Sequence, residues 1–168
     1  MSTRSMIAFE NSDGSIDAIY CHWDGYPEGV GQTLLDNYQD VSKVKQLISL
    51  GDLSSLGKTV GVDPLIKRYG FDYYANPDFY NLPMETQSSL LDNQIGSVAY
   101  HRDRGESLKI SHYNNLASFT RHLDFDIEYA YVYRIKAVRD NHWQVRTIYN
   151  EWTGWKPVDR VIKQTTAA

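Results

Sequence analysis

Alternation of apolar and polar residues is clearest in the last third of the chain. The segment 127–138 has the sequence IEYAYVYRIKAV, and a strand would place on one face Ile127, Tyr129, Tyr131, Tyr133 and Ile135. Residues 139–142 have turn composition, and the segment 143–149 (WQVRTIY) predicts an antiparallel return strand. We therefore expect a β-hairpin here.

The opening of the chain predicts a second hairpin followed by two helices. Segments 6–10 and 16–23 are rich in β-branched and aromatic residues, and the turn sequence NSDG lies between them. Apolar residues then recur at helical spacing at positions 30, 34 and 38, and again at 41, 44, 47 and 48. Asp40 is a suitable N-cap for the second helix and Gly51 a suitable C-cap. Residues 1–56 are thus predicted to form a hairpin plus two helices.

The middle of the chain, residues 57–96, is predicted to be an aromatic and proline-rich loop region. It holds three of the five prolines, and the run FDYYANPDFY (71–80) contains five aromatic residues in ten. Asp63 and Pro64 predict one short helix start. The aromatic run is too irregular for a single element, which favours either a loop folded over the core or a recognition surface.

Residues 97–163 are predicted to be mainly antiparallel strands with one short helix. The segments 96–101 and 108–112 read as a hairpin, and Asn114 or Asn115 caps a helix with apolar residues at 116, 119 and 123. The chain as a whole (1–168) is predicted to be a single α+β domain. Its antiparallel sheet would have about five or six strands, with two or three helices packed on one face.

Composition limits the classes of function. The chain has 42% hydrophobic and 23% charged residues, as is typical of a globular domain, and its 17 basic residues are spread along a chain of net charge −4. Such a distribution argues against binding to duplex nucleic acid. The single cysteine, Cys21, lies within a predicted strand and is expected to be a buried, inert thiol. No apolar run approaches the ~20 residues of a membrane helix and no signal-peptide pattern is seen, so we expect a cytoplasmic protein that does not associate with membranes. No motif indicates a cofactor, and we expect none.

A glycine-rich turn joins the first hairpin to the first helix. Asp24, Gly25, Gly29 and Gly31 fall within eight residues, and their spacing matches neither nucleotide-binding fingerprint. A tight corner, in which the glycines allow close packing, is the favoured interpretation. An anion site at the helix start is the alternative, with these candidate ligands: His22, Asp24, Gly25, Gly29, Gly31, Arg102 and Arg104.

Two histidine–aspartate pairs follow predicted strands. His22 and Asp24 are two residues apart, as are His101 and Asp103, and the four side chains would converge if their strands paired. Turn capping and solvated ion pairs are the simpler interpretation. No serine has the G-x-S-x-G context of a hydrolase, so the sequence assigns no catalytic or metal-binding residue.

Three segments carry a resemblance to known proteins: AIYCHWDGYPEGVGQTLL (18–35), KVKQLISLGDLSSL (43–56) and YHRDRGE (100–106). They resemble a family of small uncharacterised proteins of bacteriophages and prophages. The resemblance implies an accessory phage protein that acts in the bacterial cytoplasm, and it implies no particular activity.

Three functions follow as hypotheses. The first, which the phage resemblance ranks highest, is a non-enzymatic protein that binds and inhibits or modulates a host bacterial factor such as a defence protein. It predicts an exposed aromatic patch without a deep pocket, formed by Tyr73, Tyr74, Phe79, Tyr80, Trp152 and Trp155. A tyrosine-rich sheet edge is also compatible with a homodimer.

The second hypothesis is a protein that sequesters a small nucleotide signal. Aromatic rings would stack on the base, while Arg102, Arg104 and the glycine-rich turn would hold the phosphates. The third is a metal-dependent hydrolase that uses the two histidine–aspartate pairs.

Overall fold

One open sheet of eight strands runs through the part of the chain that the structure describes. The structure is a computed structural model that describes residues 2–136, 142–148 and 154–166, with the side chains of 164–166 outside the description. The strands are β1 Ser5–Glu10, β2 Ile16–Cys21, β3 Leu53–Ser55, β4 Val98–Ala99, β5 Ser111–Tyr113, β6 Tyr129–Arg134, β7 Trp143–Thr147 and β8 Lys156–Pro157.

Eight α-helices lie in the same described ranges. They are α1 Gln32–Asn37, α2 Val41–Ser49, α3 Pro64–Tyr69, α4 Pro77–Tyr80, α5 Met84–Asp92, α6 Tyr100–Arg104, α7 Leu116–Arg121 and α8 Val158–Thr166. A π-helical turn, Pro27–Gly31, runs directly into α1, and a 3-10 turn spans Tyr73–Ala75. None of the described helices is both long enough and apolar enough to cross a membrane.

The strand order is β4-β3-β2-β1-β6-β7-β8, with β5 also paired to β2. Two of the three predicted hairpins are confirmed as strand pairs, because β1 pairs antiparallel with β2 and β6 with β7. The turn predicted at 139–142 lies almost wholly outside the described residues. The hairpins join through β1 and β6, which run parallel.

The broad α+β class is confirmed, whereas the predicted counts of five or six strands and two or three helices are too low. The sheet is also mixed, since β1–β6 and β2–β3 are parallel pairs. Strand β6 is central and buried on both faces from Ala130 to Tyr133, as suits a parallel neighbour. Strands of two or three residues, such as β3 and β4, carry too little alternation to be recognised from sequence.

Helices cover both faces of the sheet, not one face as predicted. On the first face, the rings of Tyr131, Tyr133 and Trp143 pack with residues from α1, α2 and α8. On the second face, Phe119 of α7 packs over small side chains that include Ala8 and Ala130. Asn115 caps helix α7, because its side chain accepts a hydrogen bond from the Ser118 amide at 2.8 Å, and it is one of the two caps that the sequence predicts.

Residues 57–96 contain three helices, so the region is not simply a loop: α3 confirms the predicted helix start at Asp63 and Pro64, whereas α4 and α5 were not predicted. Helices α3, α4 and α5 each start at or just after a proline, namely Pro64, Pro77 and Pro83. Proline suits the first turn of a helix, where its missing N–H would have no partner in any case. Pro77 and Pro83, which suggested a loop, therefore mark helix starts, as Pro64 was predicted to do.

The predicted hairpin between 96–101 and 108–112 is also wrong. Strand β4 ends at Ala99 because α6 begins at Tyr100, and β5 pairs with Ile16–Ala18 of β2. Strand β3 lies between β2 and β4. The ends of β2 and β4 are thus separated by one strand.

Cys21 is fully buried in β2, and burial raises the pKa of its thiol from 9.0 to about 12. Because the thiolate is the reactive form, its fraction at pH 8 should be about a thousandfold below that of an exposed cysteine. We expect an aromatic disulfide reagent at pH 8 to label Cys21 only after denaturant unfolds the protein. Rapid labelling of the native protein would contradict the burial of Cys21.

The raised pKa also links Cys21 to stability at high pH. Because the unfolded thiol ionises near pH 9 and the folded thiol only near pH 12, its contribution is fully present below pH 9 and is lost as the pH rises toward 12.

Candidate functional site

An aromatic cleft of about 540 Å³ opens where β2 and β3 meet the segment that follows α3. Five of its twelve lining residues are aromatic: Trp23, Phe71, Tyr73, Tyr74 and Tyr100. The charged and polar lining residues are Asp24, Arg104, Ser54, Ser55 and Gln94, and the aliphatic ones are Ile66 and Val98. We refer to this feature as the aromatic cleft.

The sheet forms one wall of the aromatic cleft. Beyond the end of β2, the Trp23 amide donates to the Ser54 carbonyl of β3 at 3.1 Å, which extends the pairing of these two strands. The Tyr100 amide donates to the Asp52 carbonyl at 3.2 Å. Burial raises the pKa of the Tyr100 hydroxyl, which also hydrogen-bonds Ser54. Trp23 is 45% exposed and can therefore contact a ligand in the cleft.

The opposite wall is the 3-10 turn that carries Tyr73 and Tyr74. Phe79 is buried beneath it, 5.1 Å from the Tyr73 ring and 5.5 Å from Tyr69 between ring centroids. The Asn76 side chain donates to the Tyr69 carbonyl at 2.9 Å and so closes the turn against α3. Tyr74 remains 65% exposed.

The predicted aromatic patch is therefore divided. Tyr73 and Tyr74 line the aromatic cleft, Phe79 is buried, and Tyr80 is exposed but not part of the cleft lining. Trp155 lies on the second face of the sheet, where it stacks on Phe119 at 6.2 Å. Trp152 lies outside the described residues.

Arg104 lies at the cleft with its charge partly compensated. Its guanidinium is 4.6 Å from the centre of the Phe71 ring and 4.8 Å from that of Tyr100. Its Nε donates to the Glu106 carboxylate at 2.6 Å. A cation held over two rings presents one edge to a ligand, and an anionic group there would compete with Glu106.

Arg102, which the sequence grouped with Arg104, has a structural role. It donates to both oxygens of the Asp103 carboxylate at 2.9 and 3.0 Å and to the carbonyls of Val60 and Ser97 at 2.6 and 2.7 Å. The bond to the Val60 carbonyl connects α6 to the segment that precedes α3. Arg102 has no free edge for a phosphate.

The glycine-rich turn packs as a tight corner. The amides of Gly25, Gly29 and Val30 each donate to a backbone carbonyl within 2.9 Å. A Cβ on Gly25 would lie 2.6 Å from the Thr3 carbonyl oxygen. A Cβ on Gly31 would lie 3.2 Å from the Tyr131 ring. These contacts favour the corner over an anion site, because the amides are already paired.

The two histidine–aspartate pairs form no metal centre, since the described residues contain no group of three or more metal-ligating side chains in suitable positions. His22 shares a 2.7 Å hydrogen bond with the Tyr20 hydroxyl, and burial lowers the pKa of its imidazole. His101 bonds the Glu106 carbonyl at 2.6 Å, and Asp103 is bound by Arg102. The hydrolase hypothesis has no support from this geometry.

Sequence reasoning missed Trp23, Phe71, Tyr100 and Gln94 as lining residues of the aromatic cleft. Trp23 directly precedes Asp24 in the CHWDGYP run, and Phe71 opens the aromatic run, so both had a local signal. Tyr100 and Gln94 had none, because their proximity depends on the pairing of β4 with β3.

Comparisons with protein-family models, with curated proteins and with solved structures find no match for this chain.

Proposed function

We propose that this protein binds a small ligand with a planar ring, of the nucleoside or nucleotide class, in the aromatic cleft. The observation that carries the proposal is the set of five aromatic side chains around a cleft of about 540 Å³ that also holds one carboxylate and one guanidinium. Clefts of roughly 300–1,000 Å³ accommodate small-molecule ligands. Aromatic walls suit a nucleobase, because every base has a face that stacks on such rings.

The site is better suited to a base than to several phosphates. Arg102 is bound to backbone carbonyls and the amides of the glycine-rich turn are paired, which leaves Arg104 as the cation of the cleft. A nucleoside or a nucleoside monophosphate is therefore the ligand that we propose. Together with the phage resemblance, this favours a protein that sequesters a nucleotide signal in the bacterial cytoplasm without turning it over.

Replacing Trp23 or Tyr74 with alanine is expected to weaken ligand binding about tenfold. Stacking of one base on one aromatic ring contributes roughly 1–3 kcal/mol by alanine substitution. Both side chains are substantially exposed, so the thermal midpoint of unfolding should change little. Isothermal titration calorimetry with nucleoside monophosphates measures the binding, and differential scanning calorimetry measures the midpoint.

Tyr80→Ala is the matched control, because Tyr80 is an exposed tyrosine of the same aromatic run that does not line the cleft. It should bind like the unmodified protein. The proposal fails if no nucleoside or nucleotide binds, or if Tyr80→Ala weakens binding as much as Tyr74→Ala.

A protein partner is the second candidate, and it is favoured by the surface of α4 and α5. Helix α5 has no buried residue, and exposed apolar side chains occur on both helices: Tyr80, Met84 and Leu91. Exposed apolar groups of this kind are typical of interaction sites. This candidate predicts a host bacterial protein that co-purifies with the chain and is lost on Met84→Asp.

A further inference from the structure

The two charged side chains of the aromatic cleft differ in what they contact. Arg104 is ion-paired with Glu106 and held over two rings. The carboxylate of Asp24, in contrast, has neither a hydrogen bond nor an ion pair to any residue in the described part of the chain. Other carboxylates nearby are occupied: Asp63 accepts three backbone amides, and Asp103 accepts Arg102 and the Ala99 amide. Asp24 is therefore the exposed carboxylate of the cleft that remains open to a ligand.

The backbone holds Asp24 in the left-handed region, which few non-glycine residues adopt and which aspartate tolerates better than most. Its φ is 56°, the one positive value at a non-glycine residue among those described. The Asp24 carbonyl accepts from the Val30 amide at 2.8 Å, and a Cβ on Gly29 would lie 2.3 Å from that carbonyl oxygen. Glycine adopts this conformation without strain. A non-glycine residue in this region, at the edge of a cleft, is a candidate functional residue.

A carboxylate only accepts hydrogen bonds, and its two oxygens match two adjacent donors on a planar ring. Guanine presents such a pair on one edge, the N1–H and the 2-amino group. Adenine and cytosine present an amino donor beside an acceptor nitrogen, and uracil presents one N–H between two carbonyls. Asp24 therefore complements guanine and mismatches the other three bases.

Resting on the proposed function, we infer that the aromatic cleft selects guanine, with Asp24 accepting from N1–H and the 2-amino group while the aromatic rings stack on the base. The ligand class is thus a guanine nucleoside or its monophosphate. Arg104 contributes to binding of the monophosphate and not to the choice of base.

The test is calorimetric titration of the unmodified protein and of Asp24→Asn with the monophosphates of guanosine, adenosine, cytidine, uridine and xanthosine. We expect guanosine monophosphate to bind the unmodified protein at least tenfold more tightly than the other four. Asparagine also tolerates positive φ, so Asp24→Asn should fold normally. Its amide presents one acceptor and one donor, which suit the N1–H and the 2-oxo group of xanthine, and the preference should move from guanine to xanthine.

Asp24→Gly is a second variant, which removes the carboxylate and puts no other side chain in its place. It should bind all five monophosphates with similar, weak affinity and should unfold at a higher temperature than the unmodified protein, because glycine relieves the strain at φ 56°. Equal binding of guanosine and adenosine monophosphates by the unmodified protein would overturn the selection of guanine and leave the proposed function intact. An unchanged base preference in Asp24→Asn would also overturn the role of Asp24 in selecting guanine and leave the proposed function intact. Absence of binding to any monophosphate would overturn both.

Discussion

Replacing Asp63 with alanine is expected to lower the free energy of unfolding by about 3–5 kcal/mol, since each buried amide left without a partner costs roughly 1–3 kcal/mol. The side chain of Asp63 is 1% exposed. One carboxylate oxygen accepts from the Leu65 amide at 3.0 Å, and the other accepts from the amides of Ile95 and Gly96 at 2.8 and 2.9 Å. The variant removes all three acceptor contacts at once.

The same substitution should also abolish ligand binding, because Asp63 joins α3 to the chain before β4 and so fixes two parts of the aromatic cleft. Urea unfolding followed by circular dichroism measures the stability. Asp92→Ala, at an exposed position on α5, is the matched control and should change the free energy of unfolding by less than about 0.5 kcal/mol. A loss below about 1 kcal/mol in Asp63→Ala would contradict the assigned role.

Arg102→Ala is expected to destabilise the protein by about 3 kcal/mol, because it leaves a buried carboxylate without its cation. The Asp103 side chain is 3% exposed, whereas that of Arg102 is 25% exposed. The variant also removes the donors to the carbonyls of Val60 and Ser97. Thermal and urea unfolding both report this loss.

Arg104→Ala is the control two residues away. Its pair with Glu106 is largely exposed, and exposed ion pairs contribute roughly 0–1 kcal/mol. We expect Arg104→Ala to keep its stability and to bind nucleoside monophosphates less tightly, with little change for nucleosides. A double-mutant cycle between Arg102 and Asp103 should show a coupling of at least about 1 kcal/mol. Equal effects of Arg102→Ala and Arg104→Ala on stability would contradict the distinction between them.

These two arginines illustrate what the sequence could and could not predict. Both occur in one short turn-like run, so composition treats them alike. Their roles diverge because α6 directs Arg102 toward the carbonyls of Val60 and Ser97, while Arg104 reaches the aromatic rings. The residues around Arg102 do not indicate that its guanidinium will meet the Val60 carbonyl, which is 42 residues away in sequence.

The fold shows the same division between local and long-range information. The two long hairpins and the caps at Asp40, Asp63 and Asn115 were predictable, because turn composition and capping residues act over a few positions. The parallel pairing of β1 with β6 joins residues more than 120 positions apart, and nothing in either segment specifies that neighbour. The short strands β3 and β4, which bring Tyr100 to the cleft, depend on the same kind of distant contact.

For the site, the aromatic run supplied Tyr73 and Tyr74, and the CHWDGYP run supplied Asp24. The burial of Phe79 and the exposure of Tyr74 were not predictable, because the buried and the exposed aromatic residues occur in one short segment. Only the packing of α4 against the 3-10 turn separates them.

Native mass spectrometry of the protein purified gently from a bacterial lysate tests the central proposal most directly. We predict that the chain carries the added mass of a guanine nucleoside or nucleotide, that denaturation releases it, and that the double variant Trp23→Ala, Tyr74→Ala lacks it. A bare chain, which also fails to bind nucleoside monophosphates added to it, would contradict ligand binding in the aromatic cleft. A stoichiometric host protein on an otherwise bare chain would contradict it as well, and would favour a partner bound through α4 and α5.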